Sequence, residues 1–206
     1  MSGAAAVLHL DESCLGNGQD RGTPGGAGGL VEIRARGAVE RRDFRHHDPD
    51  TTNNRMALTG ARLALVHLGA RGRGLRVLAV SDSEYLVKGM REWVPAWRAR
   101  GWRRKGGAIQ NLELWRALLD AAAAHQVQWT WVRGHVGHPK NEYADHLAVR
   151  AAGEGAGSSG LEPSGFPAWL AARQAKGQYP GYDPDADYER LARLTEATVP
   201  LRLKES

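Results

Sequence analysis

Three aspartates occupy positions that could bring their carboxylates together. Asp11 follows a short apolar run at residues 5–10, Asp82 follows another at residues 75–80, and Asp145 lies one turn into a helical pattern. If the two strands are parallel neighbours, their matched ends place Asp11 beside Asp82. Clustered carboxylates need a neutralising cation, and Mg²⁺ is the hard ion that suits carboxylate and phosphate oxygens together. Two such ions about 3.5–4 Å apart would support hydrolysis of a phosphodiester bond.

Each of these residues also has a simpler interpretation. An aspartate between a strand and a helix is more often a helix cap or a turn residue than a metal ligand. His135 and His138 are three residues apart, but no cysteine pair or other close ligand set completes a zinc site. The pattern alone therefore leaves the function open.

The elements that must position the aspartates alternate along the chain from residue 5 to about residue 152. Strands are predicted at residues 5–10, 29–36, 38–44, 75–80 and 127–132, with a hairpin turn at Gly37. Helices are predicted at residues 55–68, from residue 84, and at residues 112–125 and 142–152, the last with Asn141 as its N-cap. The glycine-rich residues 16–29 are expected to form a flexible connection. The order predicts an α/β fold with a mixed five-stranded sheet, in which three antiparallel strands precede the parallel ones and helices flank the sheet.

The end of the chain has a different composition. Residues 1–152 are predicted to form one domain, residues 153–165 a Gly/Ser-rich linker, and residues 166–206 an extension of unknown role with a helix at 185–194. These boundaries rest on composition and on helical spacing alone.

Composition limits the class of protein and its surroundings. The 206 residues are 42% hydrophobic and 25% charged, which is typical of a globular protein, and the net charge of +5 mildly favours polyanionic partners. No apolar run approaches the ~18 residues of a membrane span, and the N-terminus lacks the basic region of a signal peptide. Cys14 is the single cysteine. We therefore expect a cytoplasmic monomer with no membrane partner and no disulfide-linked partner.

Tryptophans and cations are interleaved after Asp82. Trp93 and Trp97 are four residues apart and share one helix face, a spacing that usually marks a core pair. Here they are followed by Arg100, Trp102, Arg103, Arg104 and Lys105. Aromatic side chains among cations suit a groove for a nucleic-acid backbone. Trp129 and Trp131 lack such neighbours and are predicted to belong to the core.

Several segments, taken in chain order, resemble the motifs of type 1 ribonuclease H. Residues 11–17 (DESCLGN) resemble its first-strand motif, 51–56 (TTNNRM) the start of its first helix, and 82–85 (DSEY) its fourth-strand motif. Trp93, Trp97 and residues 101–105 (GWRRK) resemble its basic protrusion. Residues 129–139 (WTWVRGHVGHP) and 141–145 (NEYAD) resemble its closing strand, loop and helix. Each segment alone is a weak match, but the ordered set is specific.

The resemblance implies a ribonuclease H-like sheet and a metal-dependent endonuclease that cuts the RNA strand of an RNA–DNA hybrid. In that family four carboxylates bind two Mg²⁺ ions, and Mn²⁺ is an alternative. Asp11, Asp82 and Asp145 match three of the four. Where the family has a glutamate after Arg-Met, this chain has Ala57. An alanine cannot bind a metal, so the departure bears directly on turnover.

The resemblance also implies roles for residues around the carboxylates. His135 matches a loop histidine proposed to carry protons or to aid product release. Asn17, Asn53 and Asn54 match residues that hydrogen-bond the hybrid across its minor groove, and Glu84 replaces a glutamine near the hybrid. Trp93, Trp97, Arg100, Trp102, Arg103, Arg104 and Lys105 match the surface that binds the DNA strand.

Ala57 leaves three hypotheses open. The chain could be a working endonuclease, a protein that binds hybrid without cutting it, or a nuclease for branched or structured nucleic acid. Glu12 or Glu84 could replace the missing glutamate. Strand alternation, however, points Glu12 to the face opposite Asp11.

Overall fold

A computed structural model describes residues 5–16, 23–70, 74–134 and 137–195, and its centre is a mixed β-sheet. The strands are β1 (Ala5–Cys14), β2 (Thr23–Ala35), β3 (Ala38–Thr51), β4 (Arg76–Ser81), β5 (Gln126–Trp131) and β6 (Glu162–Pro163). Their order is β5-β4-β1-β2-β3-β6. β4 pairs in parallel with β1 and β5, whereas the pairs β1–β2, β2–β3 and β3–β6 are antiparallel. The predicted mixed sheet is confirmed, with six strands instead of five.

Helices cover both faces of the sheet. They are α1 (Asn53–Gly69), α2 (Glu84–Lys88), α3 (Val94–Ala99), α4 (Leu112–Ala122), α5 (Pro139–Glu154), α6 (Phe166–Gln174) and α7 (Pro184–Leu194). A π-helical turn, Gly89–Trp93, joins α2 to α3. Within the described ranges, every helix is too short or too polar to cross a membrane.

Alternation along β1 separates the two faces. Leu8 and Leu10 lie in the main core with Ala61 of α1 and Trp115 of α4. Val7 points the other way and packs in a second cluster with Tyr188 and Leu191 of α7. Residues of β1 with even numbers therefore face α1, and those with odd numbers face the side covered by α5 and α7.

The glycine-rich segment is not a flexible connection where the structure describes it, because residues 23–29 belong to β2. A Cβ atom at Gly26 would lie 2.2 Å from the carbonyl oxygen of Ala148, and one at Gly28 would lie 2.5 Å from its nitrogen. The backbone of α5 thus rests directly on β2, and glycine is required there because a side chain has no room. Residues 17–22 lie outside the described ranges.

Helix α5 begins earlier than predicted. Its N-cap is His138 and Pro139 occupies the first turn, a position that suits proline. Asn141 is therefore not the N-cap, as predicted, but a residue of the first turn. Its amide is free to contact another element.

The chain after α5, residues 155–195, packs against the rest of the protein and is called the C-terminal segment below. The Asp43 carboxylate of β3 accepts hydrogen bonds from the Ser164 hydroxyl at 2.6 Å and the Gly165 N–H at 2.8 Å. The Tyr188 hydroxyl of α7 donates to the Ala5 carbonyl and accepts from the Arg34 N–H, both at 2.9 Å. The interval predicted as a linker, 153–165, thus contains the end of α5 and β6, and the domain boundaries stay a prediction.

Candidate active site

Asp11 lies within β1, at the point where the pairing with β4 ends, and Asp82 follows the last residue of β4. Leu10 and Ser81 form the last parallel pair, and each aspartate is the next residue of its chain. The Trp131 indole donates a hydrogen bond to the Asp82 carbonyl at 2.9 Å. A Cβ atom at Gly134 would lie 2.2 Å from Oδ2 of Asp82, so a side chain there would displace that carboxylate. Trp131 and Gly134 thus define the position of Asp82.

Asn141 connects the two carboxylates. Its buried side-chain amide donates to Oδ2 of Asp11 at 3.4 Å and to Oδ2 of Asp82 at 3.3 Å. Sequence reasoning missed this role because it assigned Asn141 to the helix cap. The spacing offered a sign, since Asn141 and Asp145 are four residues apart and share one face of α5.

The pKa of Asp11 shows that these carboxylates lie in one electrostatic environment. Burial raises this pKa most, and the charges of Asp82, Glu12 and Asp145 raise it further, to about 9. The backbone N–H of Glu12 donates to Oδ1 of Asp11 at 2.7 Å and only partly offsets the increase. Asp145 therefore acts on Asp11 from the second turn of α5. Asp11, Glu12, Asp82 and Asp145 are called the acidic cluster below.

Glu12 belongs to this cluster, although alternation puts it on the α1 side of β1. Burial and then the Asp82 charge raise its pKa to about 8, against a hydrogen bond with Ser83. Glu12 thus alternates to the face opposite Asp11, and the Asp82 charge acts on it there. β4 ends at Ser81, and the chain turns into α2 directly after Asp82.

Ala57 belongs to the core, whereas Glu84 is an exposed residue of α2. Ala57 is 4% exposed in the first turn of α1 and lies in the main core. Oε2 of Glu84 accepts from Nζ of Lys88 at 2.6 Å, and both side chains are exposed. Of the two candidate replacements for the missing glutamate, Glu12 is the one whose charge acts on Asp11.

The donor chemistry of the acidic cluster fits a divalent cation. Carboxylate oxygens are the ligands that Mg²⁺ and Mn²⁺ prefer. Among the described residues, no three acidic, histidine or cysteine side chains already stand at metal-ligand spacing. Burial and neighbouring carboxylates raise the pKa of Asp11 and of Glu12, and a bound cation would favour the ionised form of both groups.

The aromatic and basic residues after Asp82 form a groove. A cavity of about 360 Å³ is lined by Tyr85, Trp93, Trp97, Arg104, Lys105 and Gln110. The ring centroids of Trp93 and Trp97 are 6.0 Å apart, and both rings pack on Trp115. A Cβ atom at Gly89 would lie 2.0 Å from the Trp115 ring, so glycine permits this packing. The two tryptophans are thus part of the core and also a wall of the groove.

The remaining predicted residues lie around these two features. Arg100 and Arg103 are exposed after α3, while Trp102 is half-buried with the Arg116 guanidinium 5.1 Å from its ring centre. Asn53 and Asn54 are exposed in the first turn of α1, and the Thr52 side chain caps that helix. Asn17 and His135 lie outside the described residues.

Comparisons with known proteins agree with this architecture. The RNase H family model matches residues 3–153. Ribonuclease H of Pseudomonas paraeruginosa is 42% identical over 149 residues, which cover 72% of this chain and 93% of that protein. Ribonuclease H of Granulibacter bethesdensis is 44% identical over 158 residues, which cover 75% of this chain and 98% of that protein.

A solved structure extends the likeness beyond α5. The crystal structure of LC9-RNase H1, described as a type 1 RNase H with the type 2 active-site motif, is 46% identical with a TM-score of 0.79. The match covers 90% of this chain and 92% of that one, so it includes much of the C-terminal segment. Matches of this identity, over nearly the full length of the relatives, place the chain in the family of type 1 ribonuclease H enzymes.

Proposed function

We propose that the chain hydrolyses the RNA strand of RNA–DNA hybrids in a reaction that requires Mg²⁺ or Mn²⁺. The observation that carries this proposal is the acidic cluster beside β1, where β4 ends. Four carboxylates act on one another there, and the pKa of Asp11 and of Glu12 is raised to about 9 and about 8. A cluster of carboxyl groups whose ionisation is disfavoured in this way suits a site completed by a divalent cation.

Asp11, Glu12, Asp82 and Asp145 are proposed to hold the cations. Two bound ions would activate a water and stabilise the leaving oxygen of the cleaved RNA strand. Asn141 orients Asp11 and Asp82 by donating to both, and Trp131 and Gly134 fix the position of Asp82. These three residues act on the ligands without touching substrate.

Glu12 is proposed to replace the glutamate that the family carries at position 57. The family glutamate would project from the first turn of α1, and Glu12 faces α1 from β1 because it alternates in phase with Leu8 and Leu10. A carboxylate therefore approaches the cluster from the same side, on a different element. LC9-RNase H1 supports this proposal, because that 46% identical protein is described as having an active-site motif of another type.

The surface beside the cluster is proposed to bind the hybrid. Trp93, Trp97, Arg104 and Lys105 line one groove, whose cations and rings suit the DNA-strand backbone. Further contacts to the hybrid are proposed for Asn17, Asn53, Asn54, Glu84, Arg100, Trp102 and Arg103. His135 is proposed to carry a proton during turnover or product release.

The test is cleavage of a labelled RNA–DNA hybrid with Mg²⁺ and, separately, with Mn²⁺. The native chain should cut the RNA strand only, and Asp11→Asn should abolish cleavage while circular dichroism shows an intact fold. A native chain that binds hybrid in a salt-dependent way but never cuts it would overturn the proposal in favour of a binding protein. Preferred cleavage of branched or structured nucleic acid would instead favour another substrate class.

A further inference from the structure

A buried lysine joins the C-terminal segment to the start of α5. The Lys140 side chain is 2% exposed. Its Nζ forms ion pairs with Oε2 of Glu32 at 2.8 Å and with Oδ2 of Asp187 at 3.2 Å, and it donates a hydrogen bond to the Pro184 carbonyl at 3.0 Å. Two of these three oxygens belong to the C-terminal segment.

Other charged groups complete a buried ionic network of His9, Glu32, Arg41, Lys140 and Asp187. Nε of Arg41 donates to Oε1 of Glu32 at 2.8 Å, and Nε2 of His9 lies 3.4 Å from Oε2. The Tyr182 hydroxyl donates to Oδ2 of Asp187 at 2.9 Å. Because Lys140 pairs with Glu32 of β2 and with Asp187 of α7, the network joins α7 to the first turn of α5.

The C-terminal segment also contacts the residue on the other side of Asn141. The Tyr179 hydroxyl donates to Oε2 of Glu142, and Oε1 of the same carboxylate accepts from the Gly137 N–H at 3.1 Å. Asp187 and Tyr179 thus fix Lys140 and Glu142, the two residues that flank Asn141 in sequence. Asn141 in turn makes contacts of 3.4 and 3.3 Å with Asp11 and Asp82, near the upper limit for a hydrogen bond. A small rotation of this helical turn would break them.

We propose that the C-terminal segment, through Asp187 and Lys140, sets the position of Asn141 against Asp11 and Asp82. Asp187 is therefore a positioning residue for the hydrolysis proposed above, on which this inference rests. It touches neither substrate nor a carboxylate of the acidic cluster. Its loss leaves Lys140 paired with Glu32, so the buried ammonium keeps a counter-charge while its orientation is released.

The experiment compares the full chain with Asp187→Asn, Asp187→Glu and Tyr188→Phe. Tyr188→Phe is the matched control, because it removes the hydrogen bonds of α7 to Ala5 and Arg34 without touching Lys140. Two quantities are measured beside the melting temperature: kcat and KM for hybrid cleavage, and Mn²⁺ affinity by calorimetry without nucleic acid. Asp187→Asn should lower kcat and weaken Mn²⁺ binding by about tenfold each, a typical effect for residues that orient metal ligands, and leave KM within about twofold. Asp187→Glu should recover part of both losses.

The control decides between positioning and mere stability. Tyr188→Phe should lower the melting temperature and leave Mn²⁺ affinity and kcat near those of the native chain. If Asp187→Asn changes only the melting temperature, as Tyr188→Phe does, the inference is overturned. Should Asp187→Asn fail to fold, Tyr179→Phe is measured instead, because it releases Glu142 on the other side of Asn141, and unchanged values would overturn the inference equally. If the native chain does not cleave hybrid, or if Asp11→Asn cleaves it equally well, the proposed function is refuted. The Mn²⁺ affinities of the variants would still show whether Asp187 positions Asn141.

Discussion

Two groups of charged residues lie next to each other on β1 and α5; burial raises the carboxyl pKa values in both groups, but neighbouring charges act on those values in opposite directions. The buried ionic network includes His9 of β1 and Lys140 of α5, and the acidic cluster begins two residues later at Asp11, with Asn141 beside it. In the network, burial raises the pKa of Asp187, but Lys140 and Arg190 outweigh it and bring that pKa to about 2. In the cluster, burial and like charges act together.

The difference lies in whether the chain supplies its own cations. Glu32 also has a lowered pKa, because His9 and Lys140 outweigh the effect of its burial. Burial raises the pKa of Asp11 and of Glu12 most, and the strongest neighbouring charge on each, the Asp82 carboxylate, raises it further. Buried carboxyl groups therefore form a structural ionic network where the chain supplies balancing cations and a site that attracts a cation where it does not.

The largest expected effect comes from removing Glu12. Glu12→Gln should lower kcat by about 10³-fold, because a carboxylate that holds the cations is replaced by a neutral amide. The double variant Glu12→Gly with Ala57→Glu should recover much of the loss, since it returns the carboxylate to α1. Steady-state cleavage of labelled hybrid measures both, with Glu154→Gln, at the far end of α5, as a control for loss of one acidic charge.

A variant of Glu84 tests whether Glu84, instead of Glu12, replaces the missing glutamate. Glu84→Gln should alter KM for hybrid more than kcat, because its carboxylate is exposed and paired with Lys88. A larger kcat loss in Glu84→Gln than in Glu12→Gln would refute the assignment of Glu12.

The next effect concerns the stability of the buried ionic network. Lys140→Met should lower the free energy of unfolding by about 3 kcal/mol, because it leaves Asp187 and Glu32 with too little positive charge in a buried site. Adding Asp187→Leu should restore part of that loss, since the second unpaired charge is removed. Urea unfolding of the single and the double variant measures the two free energies of unfolding. If the double variant is less stable than Lys140→Met alone, the loss does not come from an unpaired buried charge.

A smaller effect follows from the pKa values of the acidic cluster. The folded-state pKa values of Asp11 and Glu12 lie above their ordinary values of 3.8 and 4.5, so the metal-free folded protein binds more protons than the unfolded chain between these values and about 9 and about 8. Stability is therefore greatest at low pH within this window and falls as pH rises. We therefore expect the free energy of unfolding, measured with EDTA, to fall steadily from pH 5 to pH 8.

Two controls test the origin of that slope. Saturating Mg²⁺ should flatten it, because a bound cation neutralises the carboxylates. The double variant Asp11→Asn with Glu12→Gln should remove it without any metal. Thermal melts across the pH range give the comparison, and a slope that survives in the double variant would place its origin outside the acidic cluster.

The smallest effect is expected at the exposed cations of the groove. Lys105→Ala should raise KM for hybrid about threefold with kcat little changed, because it removes one phosphate contact in a solvated site. The salt dependence of binding should fall by about one unit in its logarithmic slope. If Lys105→Ala weakens hybrid binding by the same factor at every salt concentration, Lys105 acts through packing instead of through a phosphate contact.

Some parts of the site follow directly from the sequence. The apolar runs before Asp11 and Asp82 predict two strands; β4 ends before Asp82 as predicted, whereas β1 continues through Asp11 to Cys14. The two strands are parallel neighbours up to Leu10 and Ser81. Trp129 and Trp131 alternate with polar residues and pack on the main core as predicted. Local periodicity is sufficient to predict these strands because the alternation of apolar and polar residues is visible within a few consecutive positions.

Other parts depend on contacts that no local pattern carries. Gly26 and Gly28 look like loop residues, yet they lie in a strand because α5 rests on them. Lys140 lies in a stretch that the sequence assigns to a loop, and its partners are 108 residues before it and 47 after it, at Glu32 and Asp187. Alternation gives the correct face for Glu12. It does not predict that the Asp82 charge acts on Glu12, which depends on where β4 ends. These features require the tertiary arrangement.

The short strand β6 has a consequence for self-association. β3 is 14 residues long and would form an outer edge of the sheet, with unpaired backbone groups able to recruit a strand from another molecule. β6 pairs with Arg42 and Asp43, and Ser158 and Ser164 bond the backbone of Arg45 and Arg41. The middle of β3 is thereby shielded, so the C-terminal segment also protects this enzyme against edge-to-edge aggregation.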